Sequence, residues 1–129
     1  MSIALTAPAP NWTESRLQQE AVMWFNKHYR DLSDLLFHIP NGGFRNAREA
    51  ARLKAQGVKA GVPDLMLARP NGLFSARTYH GLFIEMKTST GTLDKHQASY
   101  HAQLQAQGYR VEVIRSLADF QALITEYLA

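Results

Sequence analysis

The sequence predicts an α/β fold in which helices cover both faces of a mixed β-sheet. Stretches with helical apolar spacing alternate with short apolar stretches, in the order αβαββαβα. A strand, a helix and a second strand in succession favour a crossover connection with parallel pairing. Because neither a repeat nor a composition change marks a second domain, we expect one domain over residues 12–129, after a loose, proline-containing leader at residues 1–11.

The individual elements are marked by capping residues, glycines and apolar spacing. Thr13 is a candidate N-cap for a helix with apolar positions at Leu17, Ala21 and Phe25. The other helices are expected over 46–56, over 94–107 and after Ser116. Strands are expected at 35–39, 64–69, 81–87 and 109–114. The strand at 81–87 is apolar on both faces, which predicts a central position in the sheet.

Composition limits the classes of function. The 129 residues are 46% hydrophobic and 19% charged, which is typical of a globular domain. The net charge of +3 is compatible with a polyanionic partner. The chain has no cysteine, which excludes disulfides and thiolate metal sites, and its histidines have no convincing zinc spacing. No apolar run approaches the ~20 residues that span a bilayer, so we expect a cytoplasmic protein without a membrane partner.

Two buried strands carry charge where such strands rarely do. Asp64 opens one strand, while Glu85 and Lys87 lie two apart on the other and therefore point to the same side. Buried charges are normally paired or bind metal. If the two strands are neighbours, two carboxylates and one ammonium converge at one end of the sheet.

This combination favours a divalent-metal site for hydrolysis of a phosphate ester. Carboxylates are hard oxygen ligands of the kind that Mg²⁺ prefers, and the backbone carbonyl of Met86 is placed to be a further ligand. A bound metal activates water and screens phosphate charge. Lys87 can orient the water or stabilise the developing charge.

The same residues carry a resemblance to a known family. Pro63-Asp64 followed by Glu85-Met86-Lys87 matches the PD-(D/E)XK nuclease pattern. The surrounding sequence resembles the virus-type replication-repair nuclease (VRR-NUC) family over roughly residues 14–128. The motifs that carry this resemblance are Ile39-Pro40-Asn41-Gly42-Gly43 with Arg45, Ala60-Gly61-Val62-Pro63-Asp64-Leu65, Gly81-Leu82-Phe83-Ile84-Glu85-Met86-Lys87, and Gly91 with Gln97.

The resemblance implies a restriction-endonuclease-like fold and a structure-selective DNA endonuclease that depends on Mg²⁺ or Mn²⁺. Stand-alone members of this size resemble phage and prophage proteins that act as homodimers on branched DNA such as four-way (Holliday) junctions. The catalytic residues it implies are Asp64, Glu85, Lys87 and Gln97. The metal ligands are Asp64, Glu85, the Met86 carbonyl and a first-helix glutamate, which is Glu14 or, as a rival, Glu20.

The sequence also predicts a DNA-binding surface, and it leaves alternative functions open. Gly42 and Gly43 could simply permit a turn, or they would let backbone amides approach a phosphate, with Asn41 and Arg45 reaching the DNA strand. Lys54 belongs to a group of basic residues that form either a solvated helix face or a track for phosphates beside Asp64, together with Arg48, Arg52 and Lys59. Family members that cut 5′ flaps make that substrate an alternative. A non-catalytic DNA-binding module and a packaging partner with the same fold are two further alternatives.

Overall fold

The structure, a computed structural model, describes residues 10–40, 46–72 and 77–129. The prediction of a leader over 1–11 lies mostly outside these ranges. The helices are α1 (Glu14–His28), α2 (Ala47–Ala55), α3 (Lys95–Ala106) and α4 (Leu117–Tyr127), with a short 3₁₀ helix at Arg30–Leu35. The strands are β1 (Leu36–His38), β2 (Leu65–Leu67), β3 (Leu82–Met86) and β4 (Arg110–Ile114). The expected αβαββαβα order is confirmed, with the 3₁₀ helix added.

Side-chain caps determine where the helices begin. The Thr13 hydroxyl accepts a hydrogen bond from the Arg16 N–H at 3.1 Å, which satisfies one of the free donors at the start of α1. Ser116 caps α4 in the same way, through the Asp119 N–H. Both predicted caps are therefore confirmed.

The sheet is mixed and places β3 in its interior. Within the described residues the strand order is β1-β2-β3-β4. Strand β2 pairs antiparallel with both β1 and β3. Strands β3 and β4 pair parallel, and the chain between them contains α3. The expectation of parallel pairing holds for β3 and β4 but is wrong for β1 and β2. Helix α2 buries none of its residues, so it does not pack on the sheet as a crossover helix would.

The two faces of β3 have different partners. Leu82, Ile84 and Met86 join one buried cluster with the apolar sides of α1 and α4. The alternate residue Glu85 faces α3 instead, where it contacts His101. The charged face of β3 is therefore the one that α3 covers.

Every helix within the described ranges is too short or too polar to cross a membrane.

Candidate active site

Asp64 is held between the neighbouring strands. It immediately precedes β2, and its Oδ2 accepts a hydrogen bond from the Met86 N–H at 2.7 Å. Its own carbonyl accepts from the Ile39 N–H at 2.8 Å. The antiparallel pairing of β2 with β3 thus brings Asp64 beside Glu85, as expected from the sequence.

Glu85 is a buried carboxyl group with an unusual protonation equilibrium. Its residue surface is 2% exposed. Burial, together with the hydrogen bond and charge of Asp64, raises the pKa of Glu85 to about 8, although the Lys87 ammonium opposes the shift. The metal-free carboxyl pair therefore retains a proton near neutral pH.

Lys87 and Gln97 complete a hydrogen-bonded chain around Glu85. The Lys87 Nζ donates to Gln97 Oε1 at 2.9 Å, and the Gln97 Nε2 donates to Glu85 Oε2 at 3.4 Å. Gln97 also forms a capping box with Asp94, because the Gln97 Oε1 accepts from the Asp94 N–H at 3.1 Å. The structure thus brings together the four residues predicted to be catalytic, and the cap fixes Gln97 on the first turn of α3.

A glycine lets α3 approach closely enough for these bonds. Gly61 has φ +84°, and a Cβ at this position would clash with the carbonyl oxygen of His96, directly before Gln97. A side chain at this position would push the start of α3 away from Glu85 and Lys87.

Gly61→Ala should therefore be destabilising. We expect the free energy of unfolding to fall by about 2–4 kcal/mol, since the substitution combines a left-handed backbone with an overpacked contact. Gly57→Ala is the matched control, because Gly57 has φ +105° but nothing lies within 4 Å of the position that a Cβ would take there. Urea denaturation should give only about 1 kcal/mol for the control, and equal losses for both variants would contradict the close-approach role.

His101 contacts Glu85, which was not predicted from the sequence. It is buried on α3, and its Nε2 lies 3.2 Å from Glu85 Oε1. Burial lowers the pKa of His101, and the nearby Lys87 charge lowers it further. The available signal was its position four residues after Gln97, which places both side chains on one face of the helix.

The carboxylate pair has the donor chemistry that a divalent cation would need, with water and phosphate oxygens completing the coordination. Asp64 and Glu85 supply hard oxygen donors side by side. In the described residues, no three His, Cys, Asp or Glu side chains converge into a fuller metal-binding group. The negative charge of Glu14 contributes to the raised pKa of Glu85, whereas Glu20 pairs with Arg16 at 3.0 Å. The effect of the Glu14 charge on Glu85 favours Glu14 over Glu20 as the first-helix carboxylate. The ligand roles of Glu14 and of the Met86 carbonyl stay predictions.

The expected DNA-binding residues fall largely outside the described ranges. Asn41, Gly42, Gly43 and Arg45 lie in the segment 41–45, between β1 and α2. Lys54 lies exposed on α2. Its role in DNA binding stays a prediction.

The raised pKa of Glu85 predicts that the stability of the fold depends on pH. Because the pKa is about 8 in the fold against an ordinary 4.5, the folded chain binds a proton that the unfolded chain releases between these values. The free energy of unfolding of the metal-free protein should therefore fall as pH rises from 6 to 8.5, by on the order of 2 kcal/mol. Urea denaturation in EDTA measures this fall. Glu85→Gln should remove most of it, and an equal fall in that variant would contradict the assignment.

Comparison with known proteins agrees with this geometry. The sequence model of the VRR-NUC domain family matches residues 5–118. A solved VRR-NUC domain protein is 28% identical with a TM-score of 0.75, over 92% of this chain and 89% of that one. A second solved VRR-NUC domain is 21% identical with a TM-score of 0.54, over 90% of this chain and 99% of that one, and shows likeness of fold. No curated protein matches the chain. Since the family match spans most of the sequence, the chain belongs to the VRR-NUC family of PD-(D/E)XK-type nucleases.

Proposed function

We propose that this protein is a metal-dependent endonuclease that hydrolyses phosphodiester bonds in branched DNA, with four-way junctions as the preferred substrate. The observation that carries the proposal is the meeting of Asp64, Glu85 and Lys87 at one end of the sheet, with Gln97 bonded to two of them. Membership of a nuclease family supports hydrolysis of nucleic acid. The junction preference comes from the resemblance described above.

Asp64 and Glu85 would hold the cation, Mg²⁺ or Mn²⁺, with the Met86 carbonyl as a further ligand. When bound, the metal lowers the pKa of a coordinated water and screens the charge of the phosphate. Glu85 must lose its proton to become a ligand, because its pKa is raised to about 8 in the metal-free site. Metal binding is therefore expected to strengthen as pH rises toward that value.

Lys87 is the residue that acts on the reacting groups. An ammonium carries three N–H donors, and the bond to Gln97 uses one of them. We assign another N–H to the attacking water or to a phosphate oxygen that gains charge in the transition state. Gln97 fixes the direction of the Lys87 side chain, since its amide is itself held by the capping box of α3.

Exposed basic residues on and after α2 support contact with the DNA backbone. Arg48, Arg52, Lys54 and Lys59 are exposed, and α2 buries no residue that would tie it to the core. Basic side chains of this kind neutralise phosphates and give salt-dependent affinity without sequence preference. This surface is suited to recognition of DNA by shape.

A homodimer would match the symmetry of a four-way junction, because two-fold related active sites can reach two equivalent strands. Met23 and Phe37 are large apolar residues exposed by 64% and 44%. They line the same shallow groove between α1 and β1. The groove is the apolar surface that we assign to the contact between protomers.

Comparison of the cleavage rates of different DNA structures tests which substrate the protein prefers. Labelled four-way junction, 5′ flap and linear duplex of matched sequence are incubated separately with the protein and Mn²⁺. We expect the junction to be cut at least about tenfold faster than the duplex, which corresponds to more than 1.4 kcal/mol in transition-state binding. Faster flap cleavage would reassign the substrate, and equal rates on all three would contradict structure selectivity.

A further inference from the structure

Helix α3 contacts both oxygens of the Glu85 carboxyl group. Gln97 Nε2 approaches Oε2 at 3.4 Å, and one turn later His101 Nε2 approaches Oε1 at 3.2 Å. His101 is itself 7% exposed, so its ring lies beneath the carboxyl group rather than in solvent. The two contacts hold Glu85 from the side opposite the apolar core of α1 and α4.

We propose that His101 is a positioning residue that sets the orientation of Glu85 for metal binding. It does so by donating its Nε2–H to Glu85 Oε1. The inference rests on the proposed function, because it treats Glu85 as a metal ligand. His101 is not one of the four residues predicted to be catalytic, which are Asp64, Glu85, Lys87 and Gln97.

The direction of the hydrogen bond follows from the chemistry of the partners. As a metal ligand Glu85 has lost its proton, and an ionised carboxylate has acceptors and no donor, so in that state the proton of the hydrogen bond must lie on Nε2 of the ring. A buried carboxylate oxygen that loses its donor is costly, because water does not replace the bond. Removal of a hydrogen-bond partner of a metal ligand typically lowers metal affinity or activity by about 10–100-fold.

Two substitutions of similar volume separate the hydrogen bond from packing. His101→Met fills the space without an N–H donor, whereas His101→Gln keeps an amide N–H that can reach Glu85. Gln103→Met on the exposed side of α3 is the control for placing methionine in this helix. Mn²⁺ binding is measured by isothermal titration calorimetry without DNA, so the readout does not depend on cleavage.

We expect His101→Met to weaken Mn²⁺ binding by about 10–100-fold, His101→Gln to recover part of this loss, and the control to bind as the wild type does. Wild-type affinity in His101→Met would overturn the positioning role alone, provided that the wild type binds Mn²⁺ and cleaves DNA. A wild type that neither binds Mn²⁺ nor cleaves would overturn the proposed function and this inference with it.

A second measurement needs no variant and therefore does not depend on the folding of one. Long-range ¹H–¹⁵N NMR of the wild-type protein with Mg²⁺ identifies which ring nitrogen of His101 carries the proton. Protonated Nε2 is the expected result. Protonation of Nδ1 alone would overturn the inference, because Glu85 would then have no donor from the ring.

Discussion

Lys87→Met is expected to lower the rate of metal-dependent DNA cleavage by about 10³-fold, the upper range for loss of a single charge-stabilising donor. The Lys87 ammonium is a positive charge beside the carboxyl groups of Asp64 and Glu85. Its loss also removes the charge that restrains the pKa of Glu85, so this carboxyl would keep its proton to higher pH. Single-turnover cleavage of a labelled four-way junction at saturating Mn²⁺ measures the effect.

The fold should survive this substitution. Methionine matches the length of the buried lysine stem, and Gln97 Oε1 keeps the Asp94 N–H as a donor at 3.1 Å. We expect the free energy of unfolding to change by less than about 1 kcal/mol. Lys27→Met, on an exposed position in the last turn of α1, is the matched control and should cleave at the wild-type rate. A Lys87→Met protein that cleaves as fast as this control would contradict the assigned role.

Asp64→Asn is expected to weaken Mn²⁺ binding by at least about 100-fold, more than the loss of an outer hydrogen-bond partner, because it removes a carboxylate that we assign to the metal. The amide oxygen of asparagine can still accept the Met86 N–H that Asp64 holds at 2.7 Å. The pairing of β2 and β3 at this point should therefore remain. The loss of the Asp64 charge should also bring the pKa of Glu85 closer to its ordinary value.

Calorimetric titration with Mn²⁺ measures the affinity of the Asp64→Asn protein. Asp34→Asn replaces an exposed aspartate outside the site and is the matched control, for which we expect wild-type binding. Undiminished Mn²⁺ affinity in Asp64→Asn would show that the cation binds elsewhere.

Most of the fold could be predicted from the sequence because its signals are local. Caps such as Thr13 and Ser116 and the apolar spacing of α1 act within one or two helical turns, and they gave the correct elements. The direction of strand pairing is not local. The prediction of parallel pairing assumed that the helix between β1 and β2 packs on the sheet as a crossover helix. A helix is present there, but α2 stays exposed and the two strands pair antiparallel.

In the candidate site too, some contacts could be predicted from local sequence and others depend on how distant elements pack. The spacing of Glu85 and Lys87 on one strand predicts that they share a face, and the structure places Asp64 and Gln97 beside them. The contact of His101 with Glu85 depends on how α3 lies across β3, which follows from the close approach at Gly61. A histidine on a mostly polar helix carries no such information by itself.

The most direct measurement of whether Asp64 and Glu85 hold a catalytic metal is junction cleavage by the wild type and Asp64→Asn, with Mn²⁺ and with EDTA. We expect the wild type to cut only with Mn²⁺ and Asp64→Asn to be inactive at the same metal concentration. Wild-type cleavage that continues in EDTA, or equal rates for the two proteins in Mn²⁺, would contradict a metal-dependent centre at these carboxylates.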